Sequence, residues 1–249
     1  MSPLLMVLLC LVMVATAFLS GIFGMAGGMV LIGILLVLLP VPAAMVLHAV
    51  TQMASNGWRG WLWRRHVRWR PVAAYAAGAV AALTIWSIWQ YVPSKPVAFI
   101  FLGLTPFLLR LAPPGLAPDP ESPVQGAFYG LACMTLMLLT GVSGPLLDSY
   151  FLGGRLDRRQ IVATKAICQI LSHGLKFAYF GGLVGDAGSL DPVMAVGAVL
   201  ASMLGTTLAR RYLEGMSDVQ YRRWAGRIVT AIAGWFLVHG SWLLLFAPA

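Results

Sequence analysis

Apolar runs of nearly bilayer length recur along this chain, separated by short segments rich in arginine. They cover residues 3–19, 71–91, 97–109, 124–139, 192–209 and 228–247. A helix needs about 20 predominantly apolar residues to cross a hydrocarbon core. Within that core every backbone polar group must be satisfied internally, which leaves few structures able to span it. The pattern therefore predicts an all-α polytopic membrane protein. Only 10% of the 249 residues are charged and 59% are hydrophobic, whereas a soluble domain carries about 25% charged residues.

The net charge of +9 raises the question of nucleic acid. The basic residues lie in short loops between apolar runs, which is the positive-inside pattern, so the bilayer and not nucleic acid is the expected partner. Cys10, Cys133 and Cys168 are far apart in apolar segments and match no metal or redox spacing. They are expected to pack between helices, and neither a metal nor another cofactor is expected. Ala15-Thr16-Ala17 has the look of a signal cleavage site, but no basic segment precedes it and the apolar run continues past it. A retained first helix is expected.

Ser20–Gly28 contains four glycines within residues 21–28 and predicts a break in that first helix. A shorter apolar piece, 29–39, then stops at Pro40 and Pro42. Helix, glycine break and half-length helix together suggest a hairpin dipping into the membrane. The second half repeats this plan: a helix at 124–139, the break Thr140-Gly141-Val142-Ser143-Gly144-Pro145, and a short apolar piece to about Gly153. Between the halves lies a segment from Ala112 to Pro123 with five prolines, which cannot continue a helix. The expected organisation is a first membrane repeat over 1–111, a linker over 112–123 and a second repeat over 124–249.

Each half also carries a polar stripe. In the first, about 43–63, it comprises His48, Gln52, Ser55, Asn56 and Arg59; in the second, about 160–180, it comprises Lys165, Gln169, Ser172, His173 and Lys176. The spacing is i, i+4, i+7, i+8, i+11 both times, which falls on one helical face. Gly57 and Gly174 match as well. If the arginines of 64–70, 155–159 and the loop 210–227 are cytoplasmic, the turns at 92–96 and 181–191 lie outside. The striped helices then run in opposite directions. The predicted fold is thus two inverted repeats, each a glycine-broken helical hairpin followed by three transmembrane helices, an architecture common among secondary transporters.

Interrupted helices at corresponding positions of two halves point to a binding site. Backbone N–H groups at Gly24, Gly27, Gly28, Ser143 and Gly144 would favour an anion. Gln52, Ser55, Asn56, Gln169, Ser172 and His173 would add hydrogen bonds, and Lys165 a positive charge. Interhelical hydrogen bonding that merely joins helices is the structural alternative for the stripe. Arg59 and Lys176, near their helix ends, are expected to snorkel to the interface. Asp148, the acid inside an apolar run, is expected to balance Lys165 or to carry a coupled proton. His48 and His173 are the other titratable candidates, and His239 is expected to be a packing residue.

Several of these residues resemble a known family, the TauE/SafE sulfite exporters and permeases. The resemblance is carried by Gly21-Ile22-Phe23-Gly24-Met25-Ala26-Gly27-Gly28, the Ser55-Asn56 pair, and Arg65-His66-Val67-Arg68-Trp69. It implies a multi-pass protein of the bacterial inner membrane that moves sulfite or a small organosulfonate. It also leaves proton coupling and a homodimer open. The chain departs from the family pattern at Gly141–Asp148 and at Ser172-His173, both within the inferred site. A transporter of another small organic anion or an intramembrane enzyme is the alternative; the chain has no His-Glu-x-x-His or Gly-x-Ser-x-Gly for an enzyme, and no Walker A motif for ATP-driven transport. A purely structural subunit does not account for a stripe repeated at equal spacing.

Overall fold

A computed structural model describes residues 3–23, 25–111, 118–152, 156–184, 191–213 and 218–246. Ten α-helices in this set account for nearly all of it, and no strand occurs among the described residues. They are α1 (Pro3–Phe23), α2 (Met25–Leu38), α3 (Val41–Leu62), α4 (Trp69–Trp89) and α5 (Lys95–Arg110) in the first half. The second half contains α6 (Pro123–Thr140), α7 (Gly144–Leu152), α8 (Arg158–Ala178), α9 (Pro192–Leu213) and α10 (Asp218–Phe246). Half of the linker expected at 112–123, together with Gly153, Arg155 and most of the turn at 181–191, lies outside the described residues.

Among the described residues five segments are long and apolar enough to cross a membrane: Pro3–Phe23, Trp69–Trp89, Pro123–Thr140, Pro192–Ala209 and Gly226–Phe246. Large apolar side chains on these helices face outward, among them Leu4, Leu11, Ile88, Val193, Leu200 and Val238. The buried set, by contrast, includes His48, Thr51, Asn56, Gln169, His173 and Lys176. A polar centre inside an apolar rim suits a hydrocarbon solvent, where polar groups must find partners within the protein. The chain is an all-α polytopic membrane protein.

Glycine-mediated close packing sets which helices touch. A Cβ at Gly205 would collide with the Val14 carbonyl on α1, and one at Gly197 would lie 2.9 Å from Cys10 Sγ, so α1 and α9 pack in parallel. Gly78, Gly126 and Gly130 bring α4 and α6 together in the same way. Gly103 sits against Ala233 and Leu237, and Gly240 against Phe99 and Ile100, which makes α5 and α10 antiparallel. Small residues at such crossings let backbones approach where no aqueous hydrophobic drive operates between spans.

The two striped helices, α3 and α8, pack directly on each other. Gly60 faces Ile167 and Ile170, Gly174 faces Met53, and Gly181 faces Val46, so the pair is antiparallel. Local chemistry fixes where α8 starts: Asp157 accepts from the Arg159 and Gln160 N–H groups at 2.8 and 3.0 Å, and Gln160 Oε1 accepts from the Asp157 N–H. That reciprocal capping box holds the turn 156–159 beside the first arginine cluster. There the Arg159 guanidinium lies over the Trp63 ring and the Arg68 N–H donates to Thr164 Oγ1 at 3.0 Å.

Two expectations change. The first interruption is far narrower than 20–28, because α1 continues to Phe23 and α2 begins at Met25. Gly27 is helical, and its missing Cβ lets α2 seat on Thr16 and Ser20 of α1, so this glycine serves packing and not a broad turn. The arginines at 210–227 are also not in a long loop. Arg210 and Arg211 belong to α9, and Arg222, Arg223 and Arg227 to α10. Arginine is a strong helix former, and α10 simply extends beyond its membrane-crossing part.

Candidate functional site

Where α3 and α8 meet the two interruptions, a cleft of about 480 Å³, counted to its open mouth, is lined by both stripes. From the first half come Ser20, Gly28, Gln52, Ser55, Asn56 and Arg59; from the second come Val142, Gly144, Lys165, Gln169 and His173. Eight of the residues expected from sequence thus share one cavity: Gly28, Gln52, Ser55, Asn56, Gly144, Lys165, Gln169 and His173.

The second interruption is a real one. Gly141 caps α6 in the left-handed region at φ +86°, and α7 restarts at Gly144. Thr140 Oγ1 donates within this turn and accepts from the Val142 N–H, so much of the turn's backbone is satisfied locally. The Leu147 N–H bonds the Ser143 carbonyl at 3.0 Å, which puts Ser143 at the N-terminus of α7. Its hydroxyl is buried without a hydrogen-bond partner.

Donors dominate the cleft. Among the described residues the side-chain amides of Gln52 and Gln169 make no hydrogen bond, while Asn56 Nδ2 uses one hydrogen on the Gln52 carbonyl at 2.9 Å. Ser55 Oγ pairs with Thr206 Oγ1 of α9 at 3.0 Å. Lys165 forms an ion pair with Asp148 of α7, leaving two ammonium hydrogens for other acceptors. Arg59 lines the cleft as well. The His173 ring is 2% exposed, and its Nδ1 has no partner. Among the described residues no carboxylate lines the cleft, and Asp148 beside it is paired with Lys165, while Arg59, Lys165 and His173 place nitrogen groups in its wall.

Other expected site residues are elsewhere. Gly24 lies outside the described residues. Gly27 faces α1, and Ser143 is buried beside the cleft without lining it. Ser172 lies at the edge of the stripe, outside the cleft lining, where Tyr75 Oη and Ser172 Oγ are 2.7 Å apart. His48 is fully buried behind the cleft.

Arg59 lines the cleft, whereas Lys176 departs from the snorkelling expected of it and is fully buried. Lys176 Nζ lies 2.8 Å from His48 Nδ1 and 2.9 Å from the Gly141 carbonyl oxygen. Distance from the helix end misleads here because α8 continues through a π-turn, Tyr179–Leu183, which carries the chain beyond Lys176 before the helical turns stop. The signal that could have found Lys176 is its own place on the stripe. His239 is stacked with Trp235 and Trp242 and edge-on to Phe99, in keeping with a packing role.

No curated protein and no solved structure matches this chain. A family model does: that of the sulfite exporter TauE/SafE family matches residues 9–236, a stretch that takes in both stripes, both helix interruptions and every wall of the cleft. With nearly its whole length matched, the chain belongs to the sulfite exporter TauE/SafE family of membrane transporters.

Proposed function

We propose that this protein is a secondary transporter of a small anion, sulfite or an organosulfonate, and that the cleft between α3 and α8 is where the anion binds. The observation that carries the reading is the cleft's lining: amide, hydroxyl and cationic donors from two halves of the chain converge there, and the carboxylate of Asp148 beside them is paired with Lys165. Small oxyanions present only acceptors, so a site built of donors suits them.

Alternating access between two inverted repeats is part of the proposal. In support, α3 meets α8 and α5 meets α10 head to tail, while α1 packs on α9 and α4 on α6. A pseudo-two-fold axis in the membrane plane would relate the members of each of these sets. The cleft lies at residues 52–59 of α3 and 165–173 of α8, nearer the arginine-rich end than the His48–Lys176 contact. A state open to the cytoplasm is the corresponding reading. The bacterial inner membrane is the compartment in which such a protein would act.

Flux of labelled sulfite into proteoliposomes tests the assignment. A hydrogen bond to a charged group is worth about 1.5–3 kcal/mol, so Asn56→Ala and His173→Ala are each expected to lower flux at limiting substrate by roughly tenfold or more. Wild-type flux in both folded variants would remove the cleft from consideration.

A further inference from the structure

A second feature crosses the protein behind the cleft. His48 Nε2 lies 3.0 Å from the Gly28 carbonyl oxygen, His48 Nδ1 lies 2.8 Å from Lys176 Nζ, and Lys176 Nζ lies 2.9 Å from the Gly141 carbonyl oxygen. A carbonyl only accepts, so Nε2 carries the hydrogen and donates to Gly28, leaving Nδ1 of the neutral ring to accept from Lys176. One chain of hydrogen bonds thus runs from the first turn of α2 to the cap of α6. It joins the two helix interruptions through one residue of each stripe.

The donor count at Lys176 decides what this chain can do. Two acceptors face Nζ. An ammonium has three hydrogens and an amine has two, so the third proton can leave while both hydrogen bonds persist. The charge state can therefore change without breaking the bridge.

The helices that pack on α8 carry titratable and charged groups that include His48 and Arg59 on α3, Asp148 on α7, Tyr75 on α4 and Cys133 on α6, with Lys165 and His173 on α8 itself and Tyr179 in its π-turn; of these His48 touches Lys176. Asp148 is committed to Lys165, and Tyr75 to Ser172. No carboxylate touches Lys176 among the described residues. The His173 ring, 5.4 Å from that of His48, lines the cleft with an unpartnered Nδ1 and stands between the bridge and the cavity.

We propose that Lys176 and His48 form a proton-binding site linked to the anion cleft, so that one proton is carried with each monovalent anion. The inference rests on the anion reading given above. An anion in the cleft supplies the counter-charge that a protonated bridge lacks, and linkage requires that the proton strengthen anion binding by the same factor. On loading, a proton from water adds to the Nζ lone pair; on release it returns to water past His173, and no covalent bond is otherwise made or broken.

Calorimetric titration of the purified full chain with methanesulfonate tests this, run at neutral pH in two buffers of different ionisation enthalpy. Methanesulfonate stays ionised, so any proton exchanged belongs to the protein. Wild type is expected to take up about one proton per anion bound. Lys176→Arg, whose guanidinium remains protonated, is expected to bind without uptake. Binding to wild type without proton uptake overturns the coupling and leaves the anion reading standing, and this arm does not depend on any variant folding. Undiminished uptake in folded Lys176→Arg overturns the assignment to Lys176. Failure of both methanesulfonate and sulfite to bind overturns the anion reading and the coupling with it.

Discussion

Replacing Gly141 by alanine probes the second interruption at its most constrained atom. Gly141 caps α6 with φ +86° and ψ −9°, and its N–H donates to the Met137 carbonyl at 2.9 Å. A residue with a Cβ in that left-handed region costs about 1–2 kcal/mol. The added methyl would also lie 2.7 Å from Ile32 Cγ1 and 2.9 Å from Met45 Sδ. Relieving such crowding in a packed interior costs about 1–3 kcal/mol, and Met45, with its flexible side chain, can take up part of it. The loss of unfolded-chain freedom returns about 0.4–1 kcal/mol. The net destabilisation is then about 2–4 kcal/mol. At about 2–4 °C per kcal/mol for a chain of this size, the thermal midpoint should fall by roughly 4–16 °C. Intrinsic fluorescence during heating in detergent measures it, with Gly182→Ala as control. Gly182 has open space around its Cβ direction and no positive φ, so its substitution should shift the midpoint little. If Gly141→Ala melts with wild type, the geometry assigned to the interruption is wrong.

Two further perturbations test other parts of the fold. A double-mutant cycle on Lys165→Met and Asp148→Leu should give a coupling of about 1–3 kcal/mol, because each single change strands a charge whose side chain is 21% exposed; additive effects on the thermal midpoint would contradict the pairing. Gly130→Ala should abolish the monodisperse peak in size-exclusion chromatography, since its Cβ would collide with the Tyr75 backbone on α4 and no rotamer relieves a backbone clash; normal elution would refute the α4–α6 contact.

Much of the site was readable from periodicity. A helix fixes side-chain direction from spacing alone, so the sequence sets Gln52, Asn56, Gln169 and His173 on two faces, and they share the cleft. Ser172 shows the limit of that reasoning. It belongs to the stripe by spacing, yet a stripe is about a third of a turn wide, and Ser172 falls on the edge that meets Tyr75. Ser20 was missed as a wall because its role depends on α2 folding back beside α1. Gly27 shows the converse: composition marks a glycine as a possible break but does not say whether its missing Cβ serves a turn or a contact.

By itself the sequence determined that the chain crosses a membrane, that its helices are interrupted at corresponding places in two halves, and that each half offers one polar face. These follow from run length, local conformational preference and helical repeat, all properties of neighbouring residues. Only the tertiary structure decided what the polar faces meet. Lys176 reads as an interfacial residue from its distance to the helix end, and becomes a buried link from α8 to His48 and Gly141 once α3 lies antiparallel to α8 and the cap of α6 comes between them. Lys165 and Asp148, seventeen residues apart, become one neutral pair by the same packing. Whether a charge inside the membrane faces lipid, water or a partner depends on helices far away in the chain, and that is why only the fold could assign it.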